Sequence, residues 1–141
     1  MTLLRMLCLA ALLAFGLHWW QQQRTEDRTI RGATDTNGFL PVPMPDGAQH
    51  DTVLLFAPLN CPREGTQRAV ALVEKLTAAG IANVRTSHYG AQVYEPSDEQ
   101  RAAFKRLDVV MRGEIPIALI NGMGKANPTA DEIISEFNNT Q

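Results

Sequence analysis

From Met6 to Trp20 the chain carries no charge, and counted from Leu3 the apolar stretch is interrupted only by Arg5 near its start. A helix over 3–20 is roughly 27 Å long, just short of the roughly 30 Å hydrocarbon slab of a bilayer. Arg5 and the terminal amine lie at one end. Trp19 and Trp20, followed by Gln21, Gln22 and Gln23, read as an interfacial belt at the other. That polarity places the N-terminus inside and the bulk outside, so the first expectation is a single-pass anchor over 1–20 in a bacterial inner membrane, with the soluble domain in the periplasm. A cleaved signal peptide is the alternative, with Met6 to Leu13 as its apolar region and Ala14 and Gly16 as small residues at the cut, releasing the protein to the periplasm.

Beyond Gln21 the pattern loses its periodicity. Pro41, Pro43 and Pro45 recur at every second residue before Asp46 and Gly47, which favours an extended linker over 21–50. Phe39, Leu40, Val42 and Met44 are placed to pin that strap to a domain surface, and a free linker is the alternative. The domain is expected over 51–141. Thr52 to Ala57 is a short apolar run suited to a central strand buried on both faces. From about Arg63 to Ala79, Ala69, Leu72, Val73, Leu76 and Ala79 fall at three- and four-residue spacings, predicting an amphipathic helix that Gly80 stops. Asn83 to Ser87 follows as a second strand, completing a parallel crossover unit. Ser97 with Gln100, and Thr129 with Glu132, are two capping boxes; each opens a helix, the first with Ala103, Phe104, Leu107 and Met111 on one face, the second with Ile133, Ile134 and Phe137. Between them, Ile115 to Ile120 is a strand, and Asn121–Gly122 turns the chain into a short antiparallel edge strand over Met123 to Lys125. The expected architecture is α/β: a mixed four-stranded sheet with about three helices in three layers, preceded by an N-terminal membrane helix.

Composition narrows the chemistry. The 141 residues include 13 Lys plus Arg against 15 Asp plus Glu, for a formal charge of −2, and no basic run follows a phosphate backbone, so nucleic acid is a poor partner. The two cysteines, Cys8 in the apolar N-terminus and Cys61 after the first strand, form no Cys-x-x-Cys pair, which excludes a disulfide scaffold and a structural zinc site. His50 and His88 have no acidic or thiol partners at metal-ligand spacing and read as loop histidines.

Three segments in order carry a resemblance. Val53 to Pro62 (VLLFAPLNCP) resembles the glutaredoxin strand and active-site turn, Ile115 to Gly122 (IPIALING) is similar to that family's cis-proline strand and hairpin, and Thr129 to Phe137 matches its closing helix. The resemblance, spanning Thr52 to Asn138, implies a thioredoxin-like fold with Cys61 as a catalytic thiol and Pro116 cis and facing it. It also implies a substrate-contacting surface of Pro62, Arg63, Ile115 and Pro116, with the Ile115 backbone offered to an extended thiol peptide. The chain departs from the family where Glu64 replaces the second cysteine. It departs again where His50–Asp51 and Gly124–Asn127 replace the lysine and glycine pair that help hold glutathione. No resident cofactor is therefore expected; the implied partner is an envelope protein or a low-molecular-weight thiol such as glutathione.

A thiol at a helix N-terminus is stabilised as thiolate by the exposed amides and the dipole, and Pro62 suits the first turn. Arg63 adds positive charge, whereas Glu64 is expected to oppose the thiolate and to be the main reason for weak activation. Two functions stay open at this point. One is single-cysteine thiol–disulfide exchange through Cys61, and the other is a non-catalytic thioredoxin-fold interaction module in which Cys61 is a small residue at a helix start.

Overall fold

A computed structural model describes residues 2–60 and 63–141. They form two compact units, one ending at Ala33 and one spanning Thr34–Gln141. The first unit is one helix, α1 (Thr2–Ala33), 32 residues long. The Trp pair is therefore not a boundary. No proline interrupts 2–33, and Gln, Arg, Thr, Glu and Asp continue the helix to Ala33, well into what the sequence suggested was extended linker. Leu12, Leu13, Phe15, Leu17, Trp19 and Trp20 are exposed along α1, with the Arg24 guanidinium 3.5 Å from the Trp20 ring centroid. Among the described residues no helix is long and apolar enough to cross a membrane. The fold thus gives no support to the membrane helix expected over 1–20; its residues begin a longer helix whose C-terminal part is charged.

The second unit is mixed α/β. Its elements are β1 (Leu40–Pro41), β2 (Val53–Phe56), α2 (Glu64–Ala78), β3 (Asn83–Thr86), α3 (Asp98–Met111), β4 (Ile117–Ile120), β5 (Met123–Ala126) and α4 (Ala130–Asn139). The strands lie in the order β1-β5-β4-β2-β3; β2 and β3 are parallel and the other neighbours antiparallel. The sheet thus has five strands where four were expected, and β5 is interior because Leu40 pairs with Gly124. Apolar burial drives this addition: Phe39, Leu40 and Val42 are all buried, so the strap is pinned from within the unit rather than left free.

All four residues of β2 are buried, with α2 against one face and the Tyr89 ring 6.1 Å from that of Phe56 on the other. Val53 and Leu55 pack with Leu72 and Leu76 of α2 and Ile133 of α4, while α3 lies against β1 and β5 on the opposite face. The local signals behave as their chemistry requires. Both capping boxes are formed, and Asn121 and Gly122 both adopt positive φ, as a tight two-residue hairpin demands. At the end of α2, Gly80 (φ 76°) donates to Thr77 O and Ile81 donates to Leu76 O, the paired bonds of a left-handed helix stop.

Candidate functional site

Cys61 and Pro62 lie outside the described residues. The other expected site residues sit on two elements at one end of the sheet. Arg63 is the N-cap of α2; it is exposed and makes no side-chain cap bond, while its carbonyl accepts from Thr66 N at 3.0 Å and Gln67 N at 3.2 Å. Ile115 is half-buried, Pro116 is buried, and the bond between them is cis.

Gly65 brings these two elements together. A β-carbon at position 65 would lie 2.4 Å from Ile115 Cγ1 and 3.1 Å from Ile115 O, so only glycine lets the first turn of α2 rest directly on the loop before β4. Arg68, one turn along α2, fastens the contact. Its Nη2 donates to Ile115 O at 2.8 Å and lies 2.5 Å from Glu114 Oε1, and its Nη1 lies 3.5 Å from Glu64 Oε1. Its Nε is buried without a hydrogen-bond partner. Glu114 in turn accepts from Asn127 Nδ2 at 3.1 Å, and Asn127 N donates to Pro116 O at 2.7 Å. One guanidinium therefore links α2, the loop before β4 and, through Glu114, the turn before α4. On the other side of the α2 entry, Arg85 of β3 donates to Leu59 O at 2.7 Å, fixing the loop that leaves β2.

Two expectations change with this geometry. Glu64 is not an isolated negative charge: it is exposed and paired with Arg68 at i,i+4, so solvent and the guanidinium both weaken its field. The Ile115 carbonyl, expected to be open to a peptide, already accepts a charge-assisted bond from Arg68. Arg68, Gly65 and Glu114 were not singled out in the sequence. The Glu64–Arg68 spacing was the available signal for the arginine, whereas nothing local reports that Gly65 faces Ile115, fifty positions away.

Arg63, Arg68 and Arg85 set positive charge around the start of α2, against Glu64 and Glu114. Such a surface suits an anionic group, a thiolate included. No group of three or more His, Cys, Asp or Glu side chains able to hold a metal occurs among the described residues. A separate open cavity of about 480 Å³, floored by Leu54 and Val84 and edged by Asp46 and His88, shares no residue with this cluster. Compared with protein-family models, with curated proteins and with solved structures, the chain matches none.

Proposed function

We propose that the 34–141 unit is a thioredoxin-like domain that carries out single-cysteine thiol–disulfide exchange through Cys61 in a bacterial envelope. The observation that carries the reading is the seating of the first turn of α2 on the Ile115–Pro116 loop through Gly65 and Arg68. The motif segments that resemble glutaredoxin flank that contact, and arginines cluster around it. The element order from β2 to α4, with β2 and β3 parallel, agrees with the same resemblance. The uncharged N-terminal run of the sequence is what supports delivery to the envelope, by an anchor or a cleaved leader.

In this reaction the Cys61 thiolate attacks one sulfur of a disulfide; a new Cys61–sulfur bond forms as the old sulfur–sulfur bond breaks, and the second sulfur leaves as thiolate. With Glu64 where a resolving cysteine would stand, the mixed disulfide persists until an external thiol attacks it and restores Cys61. The substrate is a low-molecular-weight disulfide such as that of glutathione, or an envelope protein. Arg68 acts as a positioning residue that holds the Ile115 loop against α2.

The test is incubation of the full chain, with Cys8 replaced by serine, with glutathione disulfide, followed by intact mass. One glutathione adduct is expected, reversed by added thiol and lost in Cys61→Ser. A folded protein that forms no adduct contradicts the proposal and leaves the non-catalytic interaction module.

A further inference from the structure

The turn that joins β4 to β5 carries a chemical lability that its surroundings hold off. Asn121 and Gly122 both take positive φ, 46° and 84°, which is why these two residue types stand there. The same pair is open to loss of the side-chain amide, because asparagine is thermolabile and a glycine after it has no side chain to shield its backbone nitrogen. That nitrogen can attack Cγ of Asn121: a new nitrogen–carbon bond forms as the Cγ–Nδ2 bond breaks, and Nδ2 leaves as ammonia with the Gly122 amide proton. Water then opens the cyclic imide at either carbonyl, giving aspartate or isoaspartate at position 121.

The Asn121 side chain is clamped away from that reaction. Its Oδ1 accepts from Asp51 N at 2.8 Å, and its Nδ2 donates to Asp51 Oδ1 at 3.0 Å and to Thr140 Oγ1 at 3.1 Å. Both Nδ2 protons and one oxygen lone pair are thus engaged. Asp51, itself at φ 57°, lies just before β2; Thr140 directly follows α4, and its hydroxyl donates to Glu136 O at 2.9 Å. One amide therefore ties the entry to the sheet, the β4–β5 turn and the end of the last helix. For Cγ to reach the Gly122 nitrogen, the side chain must turn away from Asp51 and Thr140, which breaks all three bonds. Asn121 is half-buried, so water has access once it does.

We propose that Asn121 is a modification site, a spontaneous amide-to-acid conversion gated by the Asp51–Thr140 clamp, and that conversion releases the end of α4 irreversibly. A carboxylate at position 121 has no proton to donate, and it would face the Asp51 carboxylate. Both bonds made by Nδ2 are then lost, and like-charge repulsion replaces one of them. Isoaspartate also adds a backbone carbon inside the two-residue turn, between the paired residues Ile120 and Met123. The reaction needs no enzyme or cofactor, only water. It begins when local opening at the end of α4 carries Thr140 away from Asn121.

The test is incubation of the full chain in mildly alkaline buffer, with peptide mapping for aspartate and isoaspartate at position 121 over time. Conversion in the folded parent is expected to be slower than in the same chain in urea. Thr140→Val, which deletes one acceptor, should speed it in the folded protein by roughly 2–10-fold, the scale of one hydrogen bond, and leave it unchanged in urea. Asp51→Gly, which keeps positive φ accessible, should speed it at least as much, while Asn37–Gly38, the other Asn-Gly pair in the chain, keeps its rate. The converted fraction, isolated by its added charge, should exchange the amides at the end of α4 faster than the unconverted chain. Equal rates in the folded and urea-treated parent, no acceleration in Thr140→Val, equal acceleration at both Asn-Gly pairs, or unchanged α4 exchange after conversion would overturn the inference. If Asp51→Gly does not fold, Thr140→Val decides: faster conversion supports the clamp and an unchanged rate overturns it.

Discussion

Replacing Gly65 by alanine probes the contact on which the site is built. The added β-carbon would lie 2.4 Å from Ile115 Cγ1, 2.8 Å from Cδ1 and 3.1 Å from the Ile115 carbonyl oxygen. The Ile115 side chain can turn away, since it is only half-buried, but its carbonyl is held by Arg68 at 2.8 Å and moves only if the loop moves. Forcing one carbon into a packed contact costs about 1–3 kcal/mol. Alanine returns at most about 1 kcal/mol over glycine through helix propensity, and less in a first turn. The expected net loss is about 1–2 kcal/mol, equivalent to roughly 5–30-fold faster exchange of globally protected amides. Tryptophan fluorescence is unsuited to the measurement because Trp19 and Trp20 both lie in α1, outside the 34–141 unit. Native-state exchange of the β2 and β4 amides reads the unit directly. Pairing the change with Ile115→Ala, which removes the clashing atoms, should recover part of the loss, giving a favourable coupling in the double-mutant cycle. Exchange in Gly65→Ala as slow as in the parent would refute the close seating of α2 on this loop.

Other outcomes can be stated for the unit, the thiol and the N-terminal run. Glu64→Gln should speed iodoacetamide alkylation of Cys61 by less than about threefold, the scale of a screened surface charge, and by more in an Arg68→Met background where Glu64 has lost its partner. Thr129→Ala should destabilise the unit by about 1 kcal/mol in urea unfolding through loss of the α4 cap. The Glu132 carboxyl is held below its usual range by Lys125 first and then by the Thr129 amide. It therefore contributes stability above its unfolded value that is lost as pH falls through the folded one, and Lys125→Met should flatten the acid limb of a stability–pH curve. Reporter fusions placed after Arg31 should be active only on the periplasmic side, and the mass of the mature chain then separates an anchor from a cleaved leader.

What could be read in advance was local. The capping boxes at Ser97 and Thr129, the Asn121–Gly122 turn and the Gly80 stop each depend on side chains within four residues, and each formed as the spacing implied. Strand β1 did not announce itself: it is two residues long, contains Pro41, and exists because Leu40 meets Gly124 across the whole domain. The end of α1 was misplaced for a related reason. A change from apolar to polar residues at Trp20 marks a change of solvent preference, not a change of backbone, and no proline or cap stands there to stop the helix. At the candidate site, where Cys61 and Pro62 lie outside the described residues, the cis Ile115–Pro116 bond was legible as motif. Arg68 was not, because its meaning rests on a carbonyl 47 positions away.

The most direct measurement for the central claim is the pH dependence of Cys61 alkylation in the full chain with the exposed Cys8 replaced by serine. The proposed thiol–disulfide exchange through Cys61 requires a thiolate stabilised relative to a free cysteine. The rate should therefore reach half its plateau below the ordinary thiol value of about 8.5, and Arg68→Met should move that midpoint upward. A midpoint at or above the ordinary value, or a Cys61 that does not react while the protein is folded, would contradict the exchange function and leave the domain as an interaction module.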